Sequence, residues 1–455
     1  MEKQYNTIIA RATPLGKGSI GVIRISGNKV INVIKHTLKL EYIKPRYAYY
    51  LPFFYKNKII DKGIALWFPK PNSFTGEDIL ELQCHGNGIL MDLLINDIIV
   101  HINDIRIAYP GEFSKRAFLN KKIDLTQAEA ITDIISANSK QAIFSAMNLM
   151  NGKFSFLLKD FKNIIIDLRV KIESFLEFNH EINFSIFCKK ILIKLKKLLK
   201  FLINIIKYVK NGIRIKEGIK IVLIGPPNTG KSSLMNLITN KDVSIVTDIP
   251  GTTRDILHEN FYVNSVPIEI IDTAGIRNTT NKIEILGIKK TFQEIKSANY
   301  IFLVVDDQIS EKTLSLIIRE YLTNFINKIP IIVIRNKIDI TNSNPEIIYK
   351  NYYVIIKLSV KYKKGISILK DFIKKNIINT NNNEDQFTAR MRYMDSLNSI
   401  YKILIKGQKN FLKIFSLELI AEDLRLIQKD LDLITGEFTS KDLLNNIFSQ
   451  FCVGK

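Results

Sequence analysis

Hydrophobic and polar residues follow different patterns in successive parts of the chain. Over residues 1–120, short apolar runs such as Ile79–Gln83 are separated by turn-rich segments, which predicts the strands and loops of an α/β domain. Apolar residues recur at intervals of three and four over residues 121–215, with almost no Gly or Pro, and this spacing predicts long helices. Strand-like and helical stretches alternate over residues 216–379, and residues 380–455 again show helical spacing.

This order of patterns predicts a chain of mixed class, α/β plus all-α. The alternation over 216–379 indicates a mainly parallel sheet with crossover helices. The terminal stretch of about 70 residues is marginal as an independent core, so we expect it to pack against the helices of 121–215. The α/β part at 216–379 is then an insertion in one discontinuous helical domain.

Two further segments are predicted to be helices. Gly88–His101 is predicted to be a helix of the N-terminal domain. Lys189–Lys210 alternates Lys with Leu and Ile, which fits either a helix on a membrane surface or an amphipathic helix with a solvated lysine face. The second interpretation is favoured, because one apolar stripe is the ordinary arrangement in globular proteins.

Composition narrows the function classes. An apolar fraction of 46% excludes a wholly disordered chain, and the cysteines Cys84, Cys188 and Cys452 are too few and too far apart for a disulfide scaffold. The chain has no uninterrupted apolar run of about 18 residues, so we predict no membrane span. The N-terminus lacks the apolar stretch of a signal peptide, so we expect a cytoplasmic protein. The net charge of +22 favours a polyanionic partner such as nucleic acid, although the bias towards Ile, Lys and Asn weakens that inference.

The segment Gly225–Ser232 reads GPPNTGKS and fits the phosphate-binding loop pattern. A strand-like run, IKIVLI, precedes it and a helical run follows, so that backbone N–H groups and a helix N-terminus can bind phosphates. Lys231 is expected to reach the β- and γ-phosphates as a catalytic group, and Ser232 to bind magnesium. The contacts predicted for this loop are Asn228, Thr229, Gly230, Lys231, Ser232 and Ser233.

Further elements select GTP. The motif at Asp272, Thr273, Ala274 and Gly275 ends a predicted strand, as a sensor of the γ-phosphate and magnesium must. Asn336 and Lys337 precede Asp339, whose carboxylate can accept two hydrogen bonds from the guanine edge. Thr253 in GTTRD is the natural second magnesium ligand, and Ser359 is expected to cover the base.

Ile276 stands where small signalling GTPases carry the glutamine that orients the attacking water. Hydrolysis must therefore use another group. Asn228, three residues before Lys231, is a candidate ligand for a monovalent cation that would supply positive charge beside the phosphates. A simple turn residue at Asn228 fits the spacing equally well. No metal site beyond the cations of the GTPase is predicted.

The order of motifs over nearly the whole length resembles one family. TPLGKGSIGVIRISG, SFTGEDILELQCHG, PGEFSKRAFLNKKIDLTQAEA, GPPNTGKSS, GTTRD, DTAGIR and a terminal CVGK are similar to those of the MnmE (TrmE) family of tRNA-modification GTPases. The resemblance implies an N-terminal domain that binds a tetrahydrofolate derivative (the 5,10-methylene or 5-formyl form) and dimerises, a discontinuous helical domain, and an inserted GTPase domain. It also implies a flavoprotein partner, MnmG (GidA), and the addition of an aminomethyl or carboxymethylaminomethyl group to the wobble uridine of tRNA.

The resemblance also assigns residues. It implies folate contacts at Arg24, Glu81, Lys122 and Lys455. It places potassium at Asn228, Thr247, Ile249 and Thr252, within a nucleotide-contacting segment of Thr247, Asp248, Ile249, Pro250, Gly251, Thr252 and Thr253. It gives magnesium to Ser232 and Thr253, the orientation of the catalytic water to Glu284, and a reactive thiol to Cys452, for which an inert thiol at a frayed chain end is the alternative.

Two other functions share some of these features. A ribosome-assembly GTPase would carry the same nucleotide motifs and basic charge, but it should have a small RNA-binding domain in place of SFTGED, PGEFSKRAF and CVGK. A GTPase acting at a membrane is suggested only by Lys189–Lys210.

Overall fold

The structure of the protein is a computed structural model. The residues that it describes are 6–14, 16–178, 184–239, 257–263, 266–272, 293–322, 329–378, 386–437, 447–449, 451 and 454. The chain forms two compact units. The first contains Met1–Ser136, Met147–Ile206 and Arg392–Lys455, and the second contains Ala137–Ala146 and Lys207–Met391.

The N-terminal part of the first unit is built on a six-stranded sheet. Its strands are β1 (Thr7–Arg11), β2 (Gly18–Ser26), β3 (Tyr49–Tyr55), β4 (Lys58–Phe68), β5 (Ile79–Gly86) and β6 (Ile105–Ile107). The order across the sheet is β3-β4-β5-β2-β1-β6, and only β1 and β6 are parallel neighbours. Successive side chains of β2 alternate between faces, so Ile23 and Ile25 lie in the core while Arg24 lies on the other face.

Short helices lie between these strands or follow them along the chain. They are α1 (Val30–Val33), which continues as a π-helical segment (Ile34–Leu38), α2 (Gly88–His101), α3 (Glu112–Leu119) and α4 (Leu125–Ile135). The predicted helix is confirmed as α2. It begins where it does because the Asn87 side chain accepts hydrogen bonds from the backbone N–H groups of Ile89 and Leu90. Asp124 and Gln127 form a reciprocal capping box at the start of α4.

Long helices follow. They are α5 (Lys140–Met150), α6 (Lys153–Phe178) and α7 (Phe184–Glu217). Within α7, the buried residues Ile191, Leu195, Leu198, Leu202 and Ile205 recur every three or four positions. This is the single apolar stripe expected of an amphipathic core helix. Among the helices in the described ranges, none combines the length and the apolarity that crossing a membrane requires.

The second unit contains a seven-stranded sheet. Its strands are β7 (Ile219–Ile224), β8 (Leu257–Val263), β9 (Val266–Asp272), β10 (Tyr300–Asp306), β11 (Ile331–Asn336), β12 (Ile347–Tyr349) and β13 (Tyr353–Lys357). The order is β12-β13-β11-β10-β7-β9-β8, and the five strands from β13 to β9 are parallel. Its helices include α8 (Lys231–Thr239), α9 (Glu311–Leu322), α10 (Ile338–Thr341) and α11 (Ile366–Phe372). Apolar clusters cover both faces, so the predicted, mainly parallel sheet is confirmed.

The final helices are α12 (Met391–Ile414) and α13 (Leu417–Thr435). They return to the first unit, where Lys162 of α6 forms a 2.5 Å ion pair with Asp432 of α13. Arg392 of α12 pairs at 3.0 Å with the buried Glu129 of α4. The expected packing of the tail against the earlier helices is therefore confirmed, and with it the predicted α/β plus all-α class.

Candidate functional site

The loop after β7 can adopt its course only with glycine at two positions. Gly225 and Gly230 both have positive φ, 144° and 92°. A Cβ at Gly225 would lie 2.1 Å from the carbonyl oxygen of Val304, and one at Gly230 would lie 2.5 Å from Nδ2 of Asn336. The glycines of the predicted phosphate loop thus let the loop approach β10 and the end of β11 closely. Asn228 also has a positive φ, 58°, which asparagine tolerates better than most residues.

Lys231, Ser232 and Asp272 come together at the carboxyl ends of β7 and β9. The Lys231 ammonium donates hydrogen bonds to the carbonyl oxygens of Gly225, at 3.1 Å, and Pro226, at 2.8 Å. Ser232 Oγ donates to Oδ2 of Asp272 at 2.5 Å. Burial lowers the pKa of Lys231, against the opposing charge of Asp272. Burial raises the pKa of Asp272, although the Ser232 hydrogen bond and Lys231 oppose that shift.

The second carboxylate oxygen of Asp272 is relevant to cation binding. Oδ1 of Asp272 is buried and has no hydrogen-bond partner among the described residues. An unpartnered buried carboxylate oxygen costs free energy unless a donor or a cation satisfies it. The oxygen donors of Ser232 and Asp272 are the ligand type that magnesium prefers. The described residues of this site therefore fit the predicted magnesium ion.

Asn336, at the end of β11, joins the phosphate loop to the segment after β13. It is buried, and its Nδ2 donates to the Thr229 carbonyl oxygen at 2.8 Å. Its Oδ1 accepts from the backbone N–H of Val360 at 3.0 Å and from that of Lys337 at 2.8 Å. One side chain thus connects three segments that are far apart along the chain.

The residues predicted to recognise guanine lie beside Asn336. Ser359 Oγ donates to Oδ1 of Asp339 at 2.5 Å, which brings the carboxylate to the segment after β13. Lys337 has a positive φ of 67°, and its ammonium donates to Oδ2 of Asp306 at 2.8 Å. Because β7, β10, β11 and β13 are parallel, these groups lie at the same edge of the sheet as the phosphate loop.

A second polar cluster lies in the first unit, on β2 and β5. Arg24 and Glu81 are directly opposite each other across the two strands, and Arg24 Nε donates to Oε1 of Glu81 at 2.8 Å. The guanidinium also donates to the carbonyl oxygen of Gly454 at 3.3 Å and lies 5.9 Å from the centre of the Phe113 ring. The penultimate residue of the chain is therefore held beside two of the residues predicted to bind folate.

Lys122 lies beside the turn that precedes β5. A Cβ at Gly76 would be 3.4 Å from Cγ of Lys122. Within the described ranges, no hydrogen bond or ion pair joins Lys122 to Arg24 or Glu81. The structure therefore brings Arg24 and Glu81 together and leaves Lys122 outside their polar contacts.

Two family models match the chain. The model described as the MnmE helical domain matches residues 125–452, and the one described as the GTP-binding protein TrmE N-terminus matches residues 7–122. The tRNA modification GTPase MnmE of Proteus mirabilis (strain HI4320) is 44% identical over 453 residues, which cover 99% of each chain. The chain belongs to the MnmE family.

A second curated relative is also similar over its full length. The tRNA modification GTPase MnmE of Pectobacterium carotovorum subsp. carotovorum (strain PC1) is 43% identical over 99% of each chain. Among solved structures, the G domain of the T. maritima FeoB iron transporter is 25% identical over 34% of this chain and 97% of that chain, with a TM-score of 0.27. That score is too low to add to the family assignment.

Several residues assigned from the GTPase motifs or through the resemblance to the MnmE family lie outside the described residues. They are Thr247, Asp248, Ile249, Pro250, Gly251, Thr252, Thr253, Thr273, Ala274, Gly275, Glu284, Cys452 and Lys455. The described part of the nucleotide site therefore consists of the phosphate loop, Asp272 and the base-recognising residues. The roles of the residues outside the described ranges stay predictions.

Sequence reasoning missed a charged network inside the MnmE-type motifs. The buried Arg116 of PGEFSKR donates to Glu77 of SFTGED at 2.9 Å and to Glu112 at 3.0 Å. Ser26, at the end of β2, also donates to Glu77, at 2.7 Å. Burial acts to raise the pKa of Glu112, but hydrogen bonds from Arg106, the Tyr109 backbone and Arg116 outweigh it, so the pKa is lowered. The only signal in the sequence was the presence of an acid in SFTGED and of an acid and a base in PGEFSKR, and their pairing depends on the fold.

Cys84 has no described feature of a reactive thiol. It is buried, and its Sγ donates to the carbonyl oxygen of Gly21 at 3.3 Å. Burial, reinforced by the charge of Asp61, raises the pKa of Cys84 to about 11. A thiol with so high a pKa is almost entirely protonated at neutral pH and is a poor nucleophile.

Proposed function

We propose that this member of the MnmE family hydrolyses GTP to modify the wobble uridine of certain tRNAs, with a flavoprotein partner of the MnmG type. The observation that carries the proposal is the grouping of the phosphate loop, Asp272 and Asn336 at one edge of a parallel sheet. A full-length match to tRNA modification GTPases supports the same conclusion. The added group is an aminomethyl or carboxymethylaminomethyl group on C5 of the uridine.

In the nucleotide site, Lys231 exchanges acceptors when GTP binds. Its present partners are two neutral backbone carbonyls, whereas phosphate oxygens form stronger, charge-assisted hydrogen bonds. Ser232 and Asp272, with Thr253, hold magnesium, which neutralises charge on the phosphates when bound. Asp339 accepts from the guanine edge, and the backbone after β13 covers the base.

Hydrolysis in this proposal depends on potassium and Glu284. No glutamine follows Gly275, since Ile276 occupies that position. Asn228, with oxygens of the segment 247–252, binds potassium and places positive charge beside the phosphates. Glu284 accepts a hydrogen bond from the attacking water and orients it.

The one-carbon donor is proposed to bind at the polar cluster of β2 and β5. Glu81 pairs with the pterin N–H edge, and Arg24, with Lys122 and Lys455, pairs with carboxylates of the glutamyl tail. The contact of Gly454 with Arg24 supports a terminal segment that delivers the Cys452 thiol to this cluster. We propose domains at 1–120, 121–215, 216–379 and 380–455, with dimerisation through the first.

Mass spectrometry of tRNA nucleosides tests the function as a whole. A strain lacking the protein should lose the wobble-uridine side chain, and the parental gene should restore it. Lys231→Ala should fail to restore it, whereas Lys312→Ala, which changes an exposed lysine on α9 of the same unit, should succeed. Intact modification together with defective ribosomal subunits would instead indicate a ribosome-assembly GTPase.

A further inference from the structure

Two histidines and one aspartate form a cluster that the proposed function does not use. His36 lies in the π-helical segment after α1, and Asp97 and His101 lie four residues apart on α2. Residues at this spacing lie one above the other on the same face of a helix. One ligand atom from each of the three side chains lies within 4.8 Å of the other two.

Asp97 is at the centre of the cluster. Nε2 of His36 is 2.7 Å from Oδ2 of Asp97, and Nδ1 of His101 is 3.4 Å from Oδ1. The two imidazole rings are stacked, with their centres 5.0 Å apart and an angle of 24° between their planes. Both histidines therefore face the same carboxylate from one side.

The carboxylate of Asp97 is not fully satisfied. Its side chain is only 2% exposed, yet Oδ1 has no hydrogen-bond partner among the described residues. A buried carboxylate oxygen without a donor is costly, and charged groups in protein interiors are ordinarily paired or coordinate metals. The unpartnered oxygen points to a ligand in addition to the two histidines.

We infer that His36, Asp97 and His101 bind a divalent transition metal ion of the zinc class. Imidazole nitrogens suit zinc, copper, nickel and iron, whereas magnesium and calcium take oxygen ligands. Ligands bound to one tetrahedral zinc ion are about 3.3 Å apart, so small side-chain rotations close the present span. The site is thus distinct in ion type from the magnesium site of the nucleotide.

The surroundings suit such an ion. Nδ1 of His101 lies 2.9 Å from the Asp97 carbonyl oxygen and 3.4 Å from Oδ1 of the same residue, so the α2 backbone holds this ring beside the carboxylate. The His101 side chain is 47% exposed, which provides an entry path. Three protein ligands leave one tetrahedral position open to water, as in catalytic rather than closed structural zinc sites.

The chain contains a matched control. His85 and Asp61 form a similar pair, with Nδ1 of His85 2.7 Å from Oδ1 of Asp61. This pair has one imidazole, and its carboxylate accepts from the His85 backbone as well. If a histidine beside a buried carboxylate sufficed to bind zinc, His85→Ala would reduce binding as much as His36→Ala.

The test is titration of the full-length, nucleotide-free protein with Zn²⁺ and with Co²⁺ in excess magnesium. We expect the parent to bind one Zn²⁺. Its affinity should fall by about 10–100-fold or more in His36→Ala and in His101→Ala, because the loss of even a residue that only hydrogen-bonds to a metal ligand reduces metal affinity by that factor. His85→Ala should bind like the parent. Bound Co²⁺ should give a visible absorption band in the parent and in His85→Ala alone.

Thermal melting with and without Zn²⁺ keeps the test decisive. Zn²⁺ should raise the melting temperature of the parent and of His85→Ala, and not that of the cluster variants. Should His36→Ala fail to fold, His101→Gln replaces it, because that side chain is half exposed. Parental binding in the cluster variants, or no binding by the parent, would overturn the inference and leave a hydrogen-bonded His–Asp–His cluster.

Discussion

Replacing Asn336 with alanine removes the side chain that joins the phosphate loop to the segment after β13. Three hydrogen bonds are lost, to the Thr229 carbonyl oxygen and from the N–H groups of Val360 and Lys337. Each bond contributes about 0.5–1.5 kcal/mol net, and a buried backbone group left unpaired costs about 1–3 kcal/mol. Water entering the gap offsets part of this cost, so we expect a total loss of roughly 2–4 kcal/mol.

This loss is shared between nucleotide binding and the stability of the second unit. If the loss falls entirely on binding, the affinity for GDP falls by roughly 30- to 700-fold, because 1.4 kcal/mol corresponds to a factor of ten. Equilibrium titration with a fluorescent GDP analogue measures the loss of affinity, and thermal melting of the nucleotide-free protein measures the loss of stability. The magnesium concentration is held constant throughout.

Asn236→Ala is the matched control. Asn236 is an exposed residue of α8, one turn after the phosphate loop, so its replacement leaves the three hydrogen bonds of Asn336 in place. This variant should bind GDP like the parent. An Asn336→Ala protein that binds GDP within about threefold of the parent and melts at the same temperature would refute the reasoning, since the loss of three buried contacts must appear in one of the two measurements.

Four further predictions concern other groups. Arg24→Ala should weaken binding of a tetrahydrofolate derivative and abolish tRNA modification without slowing GTP hydrolysis; unchanged folate affinity in calorimetry would show that the cluster of β2 and β5 is not the folate site. GTP hydrolysis should be much faster in potassium than in sodium, and Asn228→Ala should remove the difference; equal rates of the parent in both salts would contradict the cation assignment. Glu284→Ala should leave GTP binding nearly intact and slow turnover by roughly 10²–10⁴-fold, the effect of losing a general acid–base group, so a parental rate in potassium would mean that another group orients the water. The pKa of Glu112 is lowered below its ordinary 4.5, so its ion pairs stabilise the fold above that pH and lose their effect as the pH falls through the folded-state pKa. The melting temperature of Glu112→Gln should therefore fall less steeply with decreasing pH than that of the parent. An equal dependence of melting temperature on pH in the two proteins would argue against this contribution.

Local order was predictable from the sequence because it depends on neighbours along the chain. The helix of Gly88–His101 was placed from its residues alone, and Asn87 begins it through hydrogen bonds to N–H groups two and three positions away. The strand, glycine loop and helix around Lys231 were predicted for the same reason. The alternation of strand-like and helical stretches also predicted a mainly parallel sheet with crossover helices, and apolar clusters bury β10 and β11 in the way such a sheet requires.

The sequence also determined the class of the nucleotide site. Its motifs can be recognised from their residues and their order along the chain, without knowledge of the distances between them in the fold. It could not show that Asn336 bonds to Thr229, 107 positions earlier, because that contact depends on the parallel pairing of β7, β10 and β11. Nor could it show that the Gly454 carbonyl reaches Arg24 across 430 positions. Such contacts form only when long loops close, and no local propensity encodes which loops do so.

The histidine cluster shows the same division at one point. His101 and Asp97 are four residues apart on a predicted helix, so their common face was available from the sequence. His36 is 61 positions from Asp97, a separation that matches no metal-binding motif, so pattern alone predicted no metal site there. Only the packing of the π-helical segment against α2 brings the second imidazole to the carboxylate, because side chains from separate elements meet when their apolar faces are buried together.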